Sequence, residues 1–289
     1  MQAAEATRAV AAAMSIASVL GLSVDDVVVL QNSNRLAVRL LPCDVLARVA
    51  PLARRGAQFE VELAQRLAET RSPVGVLEPR VAPRAYELAG FVVTLWTYYA
   101  PAPREVSPAY YANALQRLHA GMRSVDATTP PHFTDRVAEA QQIVANREQS
   151  PRLADADREF LSDTLSSLKR TISDRDAAEQ LLHGEPHPGN VLSTKRGSLF
   201  IDLETCCRGP IEFDLAHVPE AVIEHYPDVD QELLGDCRKL VFAMVAAWRW
   251  DAGDQFPNGD RAARAFVSAL RSGPPWPAPD ALTQRVAGP

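Results

Sequence analysis

Residues 183–190 read His-Gly-Glu-Pro-His-Pro-Gly-Asn, and no regular helix can cross them. Pro186 and Pro188 lack the amide hydrogen that a helix needs, and Gly184 and Gly189 carry the largest backbone entropy cost. The stretch is therefore a shaped loop. Two apolar runs follow it, 191–194 and 199–202, with Lys195-Arg196-Gly197-Ser198 between them, and they read as a β-hairpin. Pairing Thr194 with Leu199 puts Val191 opposite Asp202. Asn190 and Asp202 then stand side by side at the open end of the hairpin. An amide oxygen and a carboxylate converging there suit Mg²⁺, which takes oxygen ligands and leaves room for nucleotide phosphates. Glu185 lies in the same loop, where a carboxylate can orient a substrate hydroxyl and accept its proton. A positioned nucleophile, a metal on the phosphates and electrostatic cover are what phosphoryl transfer requires.

Around that segment the chain changes character. The β-rich runs 27–30, 36–41 and 45–49 come first, then a helix over 57–69 with Phe59, Leu63 and Leu67 on one face. Residues 91–96 form another apolar strand, and Pro101 and Pro103 mark a boundary. Beyond it the periodicity is helical. One stripe is Tyr110, Ala114, Leu115, Leu118 and Met122. A second is Phe160, Leu161, Thr164, Leu165, Leu168 and Ile172. A third runs from Leu233 to Trp248. All three read as core. The Pro-rich tail from Gly273 reads as a loosely held terminus. A mixed lobe followed by a helical lobe is an α+β plan, with the cleft between lobes as the default site.

Composition closes several doors. The net charge of −6 argues against a nucleic-acid partner. No apolar run is long enough to span a bilayer. The Ala-rich segment 9–22 has no basic region before it, Glu5 offsetting Arg8, and reads as a helix rather than a signal peptide. The cysteines, Cys43, Cys206, Cys207 and Cys237, form neither a disulfide framework nor a zinc pair and read as free thiols in a reducing compartment. His183 and His187 have zinc-protease spacing, but the loop's prolines deny the helix which that motif needs. The chain has no GxxxxGK[ST] and no GxGxxG, which excludes a Walker-type phosphate loop and leaves a dinucleotide fold unsupported. Residues 202–236 hold ten acids against Arg208 alone. That suits either a solvated surface or a cationic partner, with Glu220, Glu224, Asp228 and Asp230 as candidate lining.

The loop and hairpin together resemble the aminoglycoside phosphotransferase and choline-kinase-like family. Its catalytic loop reads HGDxHxxN and its metal motif hydrophobic-Asp-hydrophobic-Glu/Asp; here they stand as HGEPHPGN and Ile201-Asp202-Leu203-Glu204. Gly209-Pro210, Phe213-Asp214-Leu215-Ala216 and Leu118-His119 resemble further family positions. So do Gln31–Asn34 (the nucleotide-covering loop), Glu60 (the helix Glu) and Leu95–Tyr98 (the hinge). The resemblance implies a bilobal protein-kinase-like fold, with a small β-rich nucleotide-binding lobe over 1–97 and a larger, mainly helical catalytic and substrate-binding lobe over 98–289. It implies a cytoplasmic, ATP- or GTP-dependent transfer to a hydroxyl of a small molecule, an aminoglycoside-like antibiotic among the candidates. The resemblance also implies roles for single residues. Glu185 is the base or orienting group, Asn190 and Asp202 hold Mg²⁺, and Asp214 braces the loop. Arg48, set by Glu60, contacts the nucleotide phosphates. Ser33 and Asn34 either touch phosphates or serve as ordinary loop polars. Trp96 and Tyr98 either flank the base or pack in the core.

Two departures stand out. Glu185 replaces the family's Asp and reaches about one ångström farther. Arg48 replaces its Lys, and the first lysine in the chain is Lys169; a guanidinium keeps the charge but forks differently. The rival reading, a pseudokinase-like nucleotide-binding module, takes these departures as loss of catalysis.

Overall fold

The structure, a computed structural model, describes residues 1–33, 35–53, 56–102, 106–125, 130–195, 197–256 and 258–287, of which 284–287 by their backbone only. Asn34, expected near phosphates, Pro103, expected at a boundary, and Arg196, expected in the hairpin turn, lie outside the described residues. The chain divides into two compact units: Met1–Glu105 with Leu192–Glu204, and Val106–Val191 with Thr205–Pro289.

In the first unit, α1 (Ala3–Val19) precedes β1 (Val24–Asn32), β2 (Leu36–Pro42) and β3 (Val45–Pro51). Then come α2 (Ala57–Glu69), β4 (Tyr86–Leu88) and β5 (Phe91–Thr97). The strands form one antiparallel sheet in the order β1-β2-β3-β5-β4. Strand side chains alternate between faces. Leu36, Val38, Leu40, Val45, Ala47, Val49, Val93 and Leu95 all point one way and pack under Ala9, Ala12, Ala13, Ile16 and Ala17 of α1. Small alanines let the helix lie close to the branched residues of the sheet. The opposite face carries Arg48, which pairs in register with Ala37 on one side and Thr94 on the other.

The chain later returns to this unit as a hairpin, β7 (Val191–Thr194) and β8 (Gly197–Phe200), which follow β6 (Glu179–Leu182) in sequence. Backbone bonds from Phe200 N–H to Pro73 O (2.7 Å) and from Gly75 N–H to Phe200 O (3.0 Å) sew β8 to the segment before β4. The second strand starts at Gly197, two residues earlier than the sequence pattern suggests. Gly197 has φ +115°, so the chain reverses there, and Thr194 Oγ1 donates to Gly197 O (2.8 Å). Asp202 therefore lies past the end of the strand and not within it. Its φ is +71°, a conformation uncommon outside glycine.

The second unit holds α3 (Pro108–Ser124), α4 (Phe133–Ala145), α5 (Asp155–Ser173) and β6 (Glu179–Leu182). After the hairpin come β9 (Cys207–Pro210), α6 (Ile211–Leu215), α7 (Glu220–Ile223), α8 (Gln231–Trp250), α9 (Gly259–Ser272) and α10 (Pro279–Ala287). β6 and β9 pair antiparallel. A capping box starts α4: His132 accepts from Thr134 N–H, and Asp135 Oδ2 accepts from His132 N–H (2.8 Å). Asp230 caps α8 by accepting from the amides of Glu232 and Leu233. The helical stripes are mostly core as expected, with two corrections. Tyr110 is 77% exposed, and its neighbour Tyr111 is buried in its place. Within its described residues the tail, expected to be loosely held, forms α10, and Trp276 packs near Phe242 and donates its indole N–H to Ala269 O (3.2 Å).

Candidate active site

Five charged side chains gather on the face of the first unit's sheet opposite α1. Glu60, on α2, is fully buried. Its Oε1 pairs with Arg48 Nη1 and its Oε2 with Arg35 Nη1 (3.1 Å). Arg48 Nη2 in turn reaches Asp202 Oδ1 (2.6 Å), and Arg35 Nη2 pairs with Glu204. Burial works against the charge of Arg48, but Glu60 and Asp202 outweigh it and hold the guanidinium charged. The structure thus joins Arg48, Glu60 and Asp202, three residues singled out from sequence. It adds Arg35, which sequence reasoning missed, and it makes Glu204, half-buried, an ion-pair partner of Arg35.

In the second unit the loop from His183 to Asn190 is held on every side. Asp214 is fully buried and accepts from the amides of His183 (2.9 Å) and Gly184 (2.7 Å). It also meets His119 Nε2 (2.9 Å). Burial disfavours its charge, but the His119 bond and the His183 amide prevail and lower its pKa. On its other side the His119 ring meets Tyr226, Nδ1 lying 2.7 Å from Tyr226 Oη. Four successive loop carbonyls find donors as well. Thr205 Oγ1 serves His183 O, Arg136 Nη1 serves Gly184 O and Asn190 Nδ2 serves Glu185 O, at 2.9, 3.0 and 3.0 Å. Tyr111 Oη serves Pro186 O. Gly184 has φ +87°, and a Cβ there would run into the Thr205 carbonyl, so the position requires glycine. Gly189 has no such conformation. His183 and His187 act within the loop, their Nδ1 atoms accepting from Glu185 and Gly189 amides (3.4 and 3.0 Å).

Glu185 projects from this frame and pairs with Arg136 of α4. Burial pushes its pKa up, but Arg136 more than offsets this, and the carboxyl sits at about 2. Arg136 was not singled out from sequence, although there was a signal. It falls on the buried stripe of α4 formed by Phe133, Val137 and Ala140, where a lone charge needs a partner. Its guanidinium also lies 5.2 Å from the Trp248 ring centre.

Buried His217 lies near this pair, with its Nε2 unpartnered. Burial lowers its pKa to about 3; Glu185 works against that, while Arg136 and His187 add to it. Between that value and the ordinary 6.5 the unfolded chain takes a proton that the folded chain refuses, so stability rises with pH through the window. Urea unfolding should accordingly show stability falling as pH drops from about 6.5 toward 3. His217→Gln should flatten that slope. An unchanged slope would mean that other groups set it.

The remaining candidates fall as follows. Asn190 is buried in a short 3₁₀ turn, and its amide nitrogen is committed to Glu185 O, which leaves Oδ1 as the atom for a cation. Ser33 N–H bonds Arg35 O (2.9 Å). Trp96 is buried, with its indole N–H on Thr94 Oγ1 (2.8 Å). Tyr98 lies under the Arg39 guanidinium (4.1 Å). Among the described residues no group of three His, Cys, Asp or Glu side chains could hold a metal. Oxygen donors in small number fit an ion that shares its coordination with substrate phosphates, as Mg²⁺ does, and do not fit a zinc cage.

The residues 21–271 match the sequence model of the phosphotransferase enzyme family (APH), and the chain belongs to that family. No curated protein matches the sequence. Solved structures are similar in fold. The amicoumacin kinase hAmiN, in complex with AMP-PNP, Ca²⁺ and Ami, aligns at TM-score 0.68 and 12% identity, covering 90% of this chain and 93% of that one. Choline kinase LicA from Streptococcus pneumoniae aligns at 0.63 and 16%, covering 90% and 97%. The aminoglycoside-3'-phosphotransferase of type VIII aligns at 0.59 and 20%, covering 82% and 98%. The fold is therefore the α+β, protein-kinase-like one, with an antiparallel sheet in the N-terminal region and helices in the C-terminal region.

Proposed function

We propose that this protein is a cytoplasmic kinase of small molecules that moves the γ-phosphoryl of ATP or GTP to a substrate hydroxyl. Residues 1–97 serve the nucleotide, and 98–289 serve catalysis and the acceptor. The observation that carries this reading is the chain of contacts Glu60–Arg48–Asp202, which links residues 154 apart in sequence. Arg48, set by Glu60, contacts the phosphates, and Ser33 and Asn34 lie in the loop that covers them. Trp96 and Tyr98 lie on the segment beside the base. Glu185, ionised and held by Arg136, orients the acceptor hydroxyl and takes its proton late, as a loose transition state allows. Asp202 and Asn190 are the residues that would hold Mg²⁺, whose role there is to neutralise charge on the phosphate oxygens.

Fold alone does not fix the acceptor. The similar structures are named for amicoumacin, choline and aminoglycosides, which makes amine-bearing antibiotics and amino alcohols the first acceptors to try. Of the four carboxylates considered for a cationic acceptor, Glu220 pairs with Arg238 (2.5 Å) and Asp230 caps α8. Glu224 and Asp228 are left for that role. Free cysteines and the lack, among the described residues, of a membrane-spanning helix fit the cytoplasmic setting.

The test is a panel of hydroxylated antibiotics and amino alcohols incubated with Mg²⁺ and ATP or GTP, with mass spectrometry reporting the phosphorylated product. Asp202→Asn should abolish product while circular dichroism stays that of the wild type. Tight nucleotide binding with neither transfer nor slow hydrolysis would replace this reading with the binding-module one.

A further inference from the structure

We propose that Arg35 is a second phosphate-binding residue, pinned beside Arg48 by their shared Glu60, so that an arginine pair grips the nucleotide phosphates. This rests on the nucleotide-binding reading above.

Glu60 spends one carboxylate oxygen on each guanidinium, and it is fully buried, so both cations are anchored at one point. The outer nitrogen of each, Nη2, already holds an oxyanion: Asp202 for Arg48 and Glu204 for Arg35. A phosphate offers a guanidinium the same kind of paired acceptor oxygens as a carboxylate. Arg35 Nη1 also lies 3.9 Å from Asp202 Oδ1, so the two arginines converge on one acidic group.

Charge points the same way. Glu60, Asp202 and Glu204 with Arg48 alone would leave an excess of two negative charges beside an anionic nucleotide. Arg35 reduces the excess to one. Arg35 stands next to the start of β2. Since Ala37 pairs with Arg48, both Arg35 and Arg39 are diagonal neighbours of Arg48 on this face. Arg39 is engaged elsewhere, with Asp44 (2.6 Å) and on the Tyr98 ring, and its side chain is 33% exposed against 11% for Arg35.

The experiment is calorimetric titration of the triphosphate that the wild type binds, ATP or GTP, and of its nucleoside. Arg35→Gln should weaken triphosphate binding by about 10- to 100-fold, the loss expected for a charge-assisted bond, and leave nucleoside binding unchanged. Arg39→Gln should not weaken triphosphate binding relative to nucleoside binding. Arg35→Lys keeps the charge without the fork and should fall between wild type and Arg35→Gln; it also serves if the glutamine variant does not fold. Three results would overturn the proposal. One is a folded Arg35 variant that binds the triphosphate as the wild type does. Another is an equal loss of triphosphate and nucleoside, which marks a structural role. Finally, a wild type that binds no nucleotide removes the parent reading and this inference together.

Discussion

Replacing Glu185 by glutamine should lower turnover by about 10²-fold or more, with nucleotide affinity unchanged. Glutamine keeps the length of the side chain and an oxygen for Arg136, so the loop should stay in place. What is lost is the charge that orients the acceptor hydroxyl and the site that takes its proton. Steady-state rates with an identified acceptor, beside direct nucleotide titration, make the check. Wild-type turnover in a folded Glu185→Gln protein would remove the residue from the chemistry. The partner arm concerns pH. With Arg136 beside it Glu185 has a pKa of about 2 and stays ionised over any working range. Arg136→Gln removes the cation that opposes burial, so the carboxyl's pKa should rise. An acid limb should then enter the pH profile of kcat/KM, absent in the wild type. A purely structural Arg136 would lower the rate at all pH values and add no limb.

Asp214→Ala should cost about 3–5 kcal/mol of stability, the range for removing one member of a buried charged network. The amides of His183 and Gly184 and the Nε2–H of His119 would all lose their acceptor inside the protein. Each buried donor left unpaired costs about 1–3 kcal/mol. Urea unfolding measures the loss, and turnover should fall with it because the same loop carries Glu185. Asp214→Asn retains one acceptor oxygen and should lie between. A loss below about 1 kcal/mol for the alanine variant would show that the loop is held mainly by Thr205, Arg136, Asn190 and Tyr111.

Much of this protein was legible in the sequence because local rules decide it. The helix over 57–69 matches α2 to the residue, since its apolar spacing and flanking breakers leave one solution. The strands around β1–β3 and β5 were placed by β-branched runs, with ends that shifted by up to a few residues. The prolines and glycines of 183–190 dictated a loop whatever the rest of the chain did. The residue types at 185, 190 and 202 pointed to a class of chemistry.

What tertiary structure alone decided is which charges meet. The sequence has 27 arginines, and no local pattern tells which pair reaches Glu60. That depends on sheet register, and Arg35 and Arg39 occupy equivalent diagonal positions about Arg48. Arg136 reaches Glu185 across 49 residues of chain, because a capping box fixes where α4 begins. The hairpin turn, the left-handed backbone of Asp202 and the exchange of Tyr110 for Tyr111 in the core were likewise beyond composition and periodicity. Secondary structure follows from a residue and its near neighbours. An ion pair follows from where two elements are placed in space, and only packing of the whole unit sets that.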